Sequence, residues 1–192
     1  VFGLETERGQ TSGHQAYCDP RSEATVAAGD LNGDGRPDLV CTPNATRGIA
    51  VRLNTTPSGS ATVSFSAPVN FPAHDGPWRP LLVDVNQDGR LDIVVCNYYS
   101  DDISVLLNTT PAGETIPSFS AAANFAVQPG PWHAAAADLN GDGKPDLVTA
   151  NSYSRKLSVL VNQTPPGAVV PSFASSATMD LGGVAYMTAL SD

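Results

Sequence analysis

Short apolar runs alternate with stretches rich in Gly, Pro, Asn and Asp along the whole chain. Between residues 79 and 125, four such runs read RPLLVDV, LDIVVCN, DISVLLN and SFSAAANF. Turn-forming residues bound each run, and valine, isoleucine and leucine dominate the middle ones, which is typical of strands. No long stretch places apolar residues at helical spacing, so the pattern predicts an all-β protein.

The same order of runs and turns returns every 54 residues. The turn between the first and second runs reads DLNGDGRPD at 30–38, DVNQDGRLD at 84–92 and DLNGDGKPD at 138–146. Other columns of the repeat hold Asn54, Asn108 and Asn162, then Phe65, Phe119 and Phe173, then Trp78, Trp132 and Tyr186. A repeat with four strands predicts a β-propeller blade, a four-stranded antiparallel unit that buries its faces against neighbouring blades.

The repeat divides the chain into three full blades with partial blades at both ends. We assign residues 24–71 to the first blade, 72–125 to the second and 126–179 to the third. Residues 1–23 form the end of a preceding blade with a linker, and residues 180–192 form the start of a further blade. Closed propellers need roughly four to eight blades, so we expect the remainder of a longer chain or further copies to cover the edges.

Charge and composition narrow the range of partners. The formal net charge is −9, and nine of the 19 acidic residues lie in the repeated turns, three in each. The 10 basic residues form no cluster, so nucleic acid is not an expected partner. The sequence has no apolar run long enough for a membrane span and no visible signal-peptide pattern.

The repeated turns carry oxygen ligands at alternating positions. In a tight loop, side chains at positions 1, 3 and 5 point inward, position 7 offers its carbonyl and position 9 closes the cage. An all-oxygen site with three carboxylates favours Ca²⁺ over Mg²⁺, zinc or copper, which predicts about three calcium ions. Position 12 holds Cys41, Val95 or Thr149 instead of a glutamate, so the turns are not EF-hands.

The predicted ligands repeat from turn to turn. The first set is Asp30, Asn32, Asp34, the carbonyl of Arg36, and Asp38. The second set is Asp84, Asn86, Asp88, the carbonyl of Arg90, and Asp92. The third set is Asp138, Asn140, Asp142, the carbonyl of Lys144, and Asp146. The alternative is an Asx-rich turn without an ion, but carboxylates this close repel each other unless a cation neutralises them.

The strings GDLNGDGRPDLV, VDVNQDGRLDIVV and ADLNGDGKPDLVTAN resemble the FG-GAP or VCBS repeats of integrin-alpha-like propellers. The resemblance covers nearly the whole chain from about residue 17. It implies calcium in the loop between the first two strands, rings that usually have seven blades, and extracellular proteins of adhesion, carbohydrate binding or secreted enzymes. The phenylalanine-glycine and glycine-alanine-proline signatures are absent from these repeats, which favours the bacterial-type VCBS form.

Aromatic residues collect on the face opposite the metal loops. Because successive strands run in opposite directions, the turns between second and third strands share that face with the links between blades. The aromatic residues there are Trp78, Tyr98, Tyr99, Trp132 and Tyr153. With His74, Asp101, Asp102 and Arg155 nearby, they suit a glycan or protein ligand. The alternative is that the tryptophans, which share a repeat column with Tyr186, pack between blades.

The N-glycosylation sequons and the cysteines each have two interpretations. Four sequons match N-glycosylation acceptors, at Asn44, Asn54, Asn108 and Asn162. Three of them share a repeat column, so hydrogen bonding within turns explains them equally well. Cys41 and Cys96 suit buried apolar positions in strands, and a bridge between Cys18 and Cys41 is the alternative.

No catalytic constellation is evident in the sequence. His14, His74 and His133 share no repeat column or motif, and the acidic clusters belong to the predicted metal loops. We therefore predict a non-enzymatic, calcium-binding, extracellular segment that acts in adhesion, in carbohydrate or protein binding, or in assembly. The alternatives are a structural subunit of an extracellular fibre or surface layer, and the non-catalytic part of a secreted polysaccharide-degrading enzyme.

Overall fold

The computed structural model describes residues 25–42 and 47–183. These residues form β-strands and no helix, which confirms the predicted all-β class. Three antiparallel sheets of four strands follow one another along the chain, one for each repeat. Within each sheet the strands are hydrogen-bonded in the order of the sequence, so each sheet is a simple meander of the kind expected for a propeller blade.

The twelve strands have closely matched positions in the three repeats. The first sheet contains β1 (Thr25–Gly29), β2 (Asp38–Thr42), β3 (Gly48–Arg52) and β4 (Val69–Pro72). The second contains β5 (Pro77–Val83), β6 (Asp92–Asn97), β7 (Asp102–Leu106) and β8 (Ala123–Ala126). The third contains β9 (Pro131–Ala137), β10 (Asp146–Asn151), β11 (Lys156–Asn162) and β12 (Phe173–Asp180). Each repeated acidic turn therefore joins the first strand of its sheet to the second.

The middle strands of the second sheet bury both of their faces. Every residue of β6 and of β7 is buried. Successive side chains of a strand point to opposite faces, so Ile93 and Val95 enter one apolar cluster while Val94 and Cys96 enter another. These strands consequently read as continuous apolar runs, because each face packs against a neighbouring sheet.

The two apolar clusters fill the junctions between sheets. The first joins the first two sheets and includes Leu31, Val51, Ile93 and Leu106. The second joins the second and third sheets and includes Val85, Ile103, Leu147 and Leu160. An aromatic pair repeats at each junction, with Phe71 against Phe119 at 5.0 Å between ring centroids and Phe125 against Phe173 at 5.1 Å. The first strands β1, β5 and β9 contact one another in turn, as the inner strands of a propeller do.

The fourth strand of the second sheet is shorter than predicted. The apolar run 118–125 yields only an isolated bridge between Phe119 and Asn108, followed by β8. The Ser120 hydroxyl accepts a hydrogen bond from Leu107 N at 2.9 Å, so it replaces a backbone carbonyl and interrupts the ladder. Ala174 occupies the same repeat position in the third sheet and has no hydroxyl, and there β12 continues as one strand, with a register shift between Val159 and Leu160 of its partner.

Some of the sequence predictions concern residues that the structure does not describe. The partial blade at 1–23 and residues 184–192 of the last partial blade lie outside the described residues, as does Cys18. Cys96 is a buried free thiol. Cys41 is buried in β2, as predicted, and it is disulfide-bonded, in agreement with the alternative of a bridge. Within the described ranges, no helix of a length and apolarity suited to a membrane span occurs.

Candidate metal loops and aromatic face

Each repeated turn folds around the aspartate at its first position. Asp30 accepts hydrogen bonds from the backbone N–H groups of Asp34 at 3.2 Å and Gly35 at 2.7 Å. Asp34 accepts one from Arg36 N at 2.9 Å. Gly35 has a φ of 82°, in the left-handed region where a residue without a Cβ is favoured. These bonds curl the chain tightly, so that the first and fifth carboxylates belong to one turn.

The same bonds recur in the other two turns. The equivalent distances to Asp84 are 3.1 and 2.9 Å, and those to Asp138 are 3.1 and 2.8 Å. Backbone hydrogen bonds, the one from Gly143 above all, lower the pKa of Asp138. The structure therefore gives the first and fifth positions of the predicted ligand sets the same arrangement in all three repeats.

The aspartate at the ninth position is buried and joins the turn to its sheet. Asp92 accepts hydrogen bonds from Val85 N at 2.8 Å and from Asn108 N at 2.7 Å. Asp38 and Asp146 accept the equivalent pairs at 2.7 to 3.0 Å. The sequence predicted these aspartates only as ligands of an ion and did not reveal their hydrogen bonds to the backbone of the sheet. The only sequence feature that indicates this role is their position at the start of an apolar strand.

Burial changes the acidity of these ninth-position carboxyl groups. It raises the pKa of Asp92 to about 6, although the two backbone hydrogen bonds act in the opposite direction. The charges of Asp88 and Asp84 raise that pKa further. The pKa of Asp38 is raised for the same reasons, with burial as the largest. In the second turn the charges of Asp84 and Asp88 thus act on a partly desolvated Asp92 carboxyl group, and a cation there would favour its ionised form.

Arginine side chains partly neutralise the first two turns. Arg36 forms a salt bridge to Asp34 at 2.6 Å and also donates through Nε to the Asn54 carbonyl at 3.0 Å. Arg90 does the same with Asp88 at 2.6 Å and Asn108 at 2.9 Å. Sequence reasoning used only the backbone carbonyls of these arginines. The guanidinium groups instead tie the turn to the end of the third strand.

The amide of the third-position asparagine donates hydrogen bonds both within its own turn and to the next repeat. Asn86 is 2 % exposed, and its Nδ2 donates to Asp88 Oδ2 at 3.1 Å and to Ala168 O, in the connection between β11 and β12, at 2.9 Å. Both partners are acceptors, which fixes the orientation of the amide. Its Oδ1 is buried and has no hydrogen-bond donor among the described residues. A buried acceptor of this kind is unfavourable unless a donor or a cation satisfies it.

The carboxylates do not form an ion cage by themselves. Throughout residues 25–42 and 47–183, no group of three or more His, Cys, Asp or Glu side chains is arranged to hold a metal ion. A cation in these turns would therefore depend on the asparagine oxygen and the seventh-position carbonyl as well as on carboxylates. That donor set of uncharged and charged oxygens is the kind that Ca²⁺ accepts.

Turn chemistry explains the repeated sequons. The Oδ1 atoms of Asn54, Asn108 and Asn162 each accept a hydrogen bond from the backbone N–H two residues later, at 2.9 Å. Asn108 and Asn162 are each 1 % exposed, which leaves no room for a glycan on the folded chain. The sequon at Asn44 lies outside the described residues.

The five aromatic residues predicted on the opposite face form one cluster. Tyr98 is its centre, with ring centroids 5.2 Å from Tyr99, 5.4 Å from Trp132 and 4.9 Å from Tyr153. Trp132 also lies 5.5 Å from Trp78, across the junction between the second and third sheets. The tryptophans thus pack between blades, while Tyr99 and Tyr153 are 73 % and 64 % exposed. Tyr186 lies outside the described residues.

Glycines in the links between sheets support the exposed tyrosines. A Cβ on Gly76 would lie 2.5 Å from the Tyr99 ring, and one on Gly130 would lie 2.8 Å from the Tyr153 ring. The links also bond to the turns, since Tyr98 N donates to Gly76 O at 2.9 Å. These contacts place the links and the turns on one face, as the antiparallel order predicts.

The polar residues predicted on this face make different contacts. Asp101 accepts a hydrogen bond from Gly130 N at 2.9 Å and so fixes the link beside the cluster. His74 bonds Asp102 through Nδ1 at 2.6 Å and Asn124 through Nε2 at 2.9 Å. Arg155 is exposed and has a φ of 59°. Sequence reasoning missed Arg79, whose guanidinium lies 5.6 Å from the centroid of the Trp132 ring.

His74 bonds two polar side chains of the second sheet, those of Asp102 and Asn124. The Nε2 atom of His74 faces the Asn124 amide and not a serine or cysteine nucleophile. Burial lowers the pKa of His133, and the charge of Arg79 acts in the same direction. His14 lies outside the described residues.

Comparison with protein families agrees with this architecture. The family model of the FG-GAP-like repeat matches residues 30–95 and 84–149, and that of the FG-GAP repeat matches residues 130–170. The chain therefore belongs to the FG-GAP repeat family, as its resemblance suggested, and its sheets are FG-GAP propeller blades. No match was found among curated proteins or among solved structures. FG-GAP repeats typically occur in extracellular proteins and are generally non-enzymatic.

Proposed function

We propose that this chain is an extracellular, non-catalytic binding module whose blades are stabilised by calcium in the three repeated turns. The observation that carries the calcium assignment is the buried Oδ1 of Asn86, which lacks a donor among the described residues and belongs to an amide that bonds the Asp88 carboxylate of the same turn. In the other two turns the equivalent oxygens accept hydrogen bonds, from Asp34 N to Asn32 at 3.3 Å and from Asp142 N to Asn140 at 2.9 Å, so there the proposal rests on the repeated set of oxygen ligands. The disulfide at Cys41 supports the extracellular location, since such bonds persist in oxidising compartments.

The residues that would hold the ion are the fifteen predicted from the sequence. The side chains at the first, third, fifth and ninth positions and the carbonyl at the seventh supply only oxygen atoms, which suits a hard cation. Bound calcium would stabilise the fold, because it neutralises carboxylates that otherwise repel one another. In the first two turns it would compete with Arg36 and Arg90 for Asp34 and Asp88.

Calorimetric titration with Ca²⁺ tests this proposal directly. We expect saturable binding of about three ions per chain, with magnesium a weak competitor because it keeps its waters. Asp84→Asn should remove one ion from the total, whereas Asp75→Asn, at a half-buried residue in the link between β4 and β5 that pairs with Arg47, should leave the total unchanged. Absence of saturable binding at millimolar calcium would overturn the assignment.

The aromatic face supplies the binding surface of the proposed module. Tyr99 and Tyr153 are exposed rings that rest on glycine backbone, and Asp101 and Arg155 supply polar groups beside them. Sugar rings stack on such flat aromatic surfaces, and their hydroxyl groups bond to the surrounding polar groups. This arrangement favours a carbohydrate ligand over a catalytic role.

A screen against an array of oligosaccharides tests the ligand class. We expect binding of the native chain to be lost in Tyr153→Ala, while Val169→Ala, an equally exposed apolar residue on the connection between β11 and β12, should bind normally. Equal binding by both variants, or binding by neither the native chain nor the variants, would exclude a sugar site here. A captured protein partner that requires Tyr153 would leave the binding surface in place and change the ligand class.

A further inference from the structure

Two exposed tyrosine rings lie one repeat apart on the aromatic face. Tyr99 and Tyr153 occupy the same position in the turns of the second and third blades. Each ring packs against a glycine of the link that precedes its blade, Gly76 or Gly130. Tyr99 is 73 % exposed although the third blade packs against its own blade, so exposure at this position does not come from the end of the chain. The two rings are therefore a repeated feature of the blades.

Tyr98 separates the two exposed rings and limits the distance between them. Its ring centroid lies 5.2 Å from that of Tyr99 and 4.9 Å from that of Tyr153, so the centroids of the two exposed rings are at most about 10 Å apart. In the described part of the chain, Tyr99 and Tyr153 form no ring pair with each other. The face thus offers two separate stacking positions at a spacing that suits neighbouring units of one sugar chain.

The two exposed rings are inclined to each other. The plane of the Tyr98 ring makes an angle of 76° with that of Tyr99 and of 47° with that of Tyr153. The planes of Tyr99 and Tyr153 must therefore differ by at least the difference between these angles. The flat surface of a crystalline polysaccharide needs coplanar rings if it is to stack on both. A single chain whose successive units are rotated about the chain axis can stack one unit on each ring.

The charges beside the rings favour uncharged sugars. Asp101 accepts a hydrogen bond from Gly130 N at 2.9 Å and so lies beside the link that supports Tyr153. A hydrogen bond with the Tyr98 side chain raises the pKa of Tyr153, and the negative charge of Asp101 acts in the same direction. A carboxylate accepts hydrogen bonds from sugar hydroxyl groups but repels the carboxylate or sulfate groups of an acidic polysaccharide. The formal net charge of −9 adds to that repulsion.

We infer that the aromatic face binds a single chain of a neutral linear polysaccharide, with one sugar unit stacked on Tyr99 and another unit of the same chain on Tyr153. Trp132 does not stack on the sugar, because the Arg79 guanidinium and the Tyr98 ring lie 5.6 and 5.4 Å from its centroid. The inference rests on the proposed carbohydrate-binding function and deepens it by naming the class of ligand. It does not depend on the calcium assignment.

Calorimetric titration with soluble, neutral oligosaccharides of one to six units tests the inference, with glucan, xylan and mannan series as probes. At least one series should bind about 10-fold more tightly as the tetrasaccharide than as the monosaccharide, because only the longer chain reaches both rings. Tyr99→Ala should remove this gain, whereas Tyr99→Phe keeps the ring and should retain it. Ile116→Ala, at a similarly exposed residue in the connection between β7 and β8, should bind like the native chain.

The outcomes separate this inference from the function on which it rests. The inference is wrong if no series binds, if the monosaccharide binds as tightly as the tetrasaccharide, or if Tyr99→Ala retains the gain. Tighter binding to microcrystalline cellulose than to the soluble chains would also contradict it. In each of these cases, a branched or acidic glycan that binds on the array and requires Tyr153 would leave the carbohydrate-binding function standing. A blank array would overturn both, and circular dichroism verifies the fold of each variant.

Discussion

Substitution of Asp92 by asparagine separates its structural role from any role in ion binding. The side chain is fully buried, and its two oxygens accept hydrogen bonds from Val85 N at 2.8 Å and Asn108 N at 2.7 Å. Asparagine has almost the same shape but only one acceptor oxygen, so one of the two backbone N–H groups would face an NH₂ group. The structure therefore predicts a loss of stability even when no calcium is present.

The expected cost follows from the bond that is lost. A hydrogen bond to a charged group contributes about 1.5–3 kcal/mol, and a buried N–H without an acceptor adds a penalty of about 1–3 kcal/mol. Removal of a buried charge offsets part of this sum, so we expect a net loss of about 1.5–3 kcal/mol. For a chain of this size that corresponds to a fall of roughly 3–12 °C in Tm.

Urea unfolding followed by circular dichroism, in excess chelator at pH 7, measures this loss. Asp75→Asn is the control, because Asp75 is half-buried and its salt bridge with the exposed Arg47 is of the surface kind that contributes about 0–1 kcal/mol. If Asp92→Asn unfolds within about 0.5 kcal/mol of the native chain, or matches the control, the two backbone bonds do not hold the turn to the sheet.

Three further predictions follow from individual residues. Gly130→Ala should destabilise the chain by about 1–3 kcal/mol more than Gly59→Ala, since both glycines have a positive φ but only the first Cβ would meet the Tyr153 ring; equal thermal shifts would refute the contact. Burial raises the pKa of Cys96 to about 12, so a thiol reagent at pH 8 should label it only after unfolding, and immediate labelling would contradict its burial. The folded pKa of Asp92, about 6, exceeds its unfolded value of 3.8, so this group favours the folded state at low pH. Stability in chelator should therefore fall as pH rises from 3.8 to about 6, and this dependence should weaken in Asp92→Asn.

The fold follows from the sequence because local and repeated signals agree. Runs such as LDIVVCN combine β-branched residues with turn-forming flanks, and the 54-residue period sets the order of the sheets. The interruption near Ser120 could not be predicted in this way. Serine is common in strands, and only the position of its hydroxyl against Leu107 N shows that it displaces a backbone carbonyl.

The positions of the acidic turns and of the aromatic face could be predicted from the sequence, but the hydrogen bonds and salt bridges of the turns could not. The spacing of carboxylates and glycines located the three turns, and strand order placed the aromatic residues on one face. The cross-blade bonds of Asn32 and Asn86 join residues 82 apart in sequence, so they depend on how blades pack and not on any local pattern. The salt bridges of Arg36 and Arg90 were missed because flexible side chains at exposed positions carry no signal for their partner.

Thermal unfolding in millimolar calcium and again in excess chelator tests most directly whether the repeated turns are structural calcium sites. A site filled at a hundred-fold excess over its Kd adds about 2.7 kcal/mol to the free energy of unfolding. We therefore predict a midpoint that is higher in calcium by well over 5 °C, as roughly 2–4 °C per kcal/mol is expected for a chain of this size. Equal midpoints in calcium and chelator would contradict the account and would leave the turns as hydrogen-bonded Asx turns within FG-GAP blades.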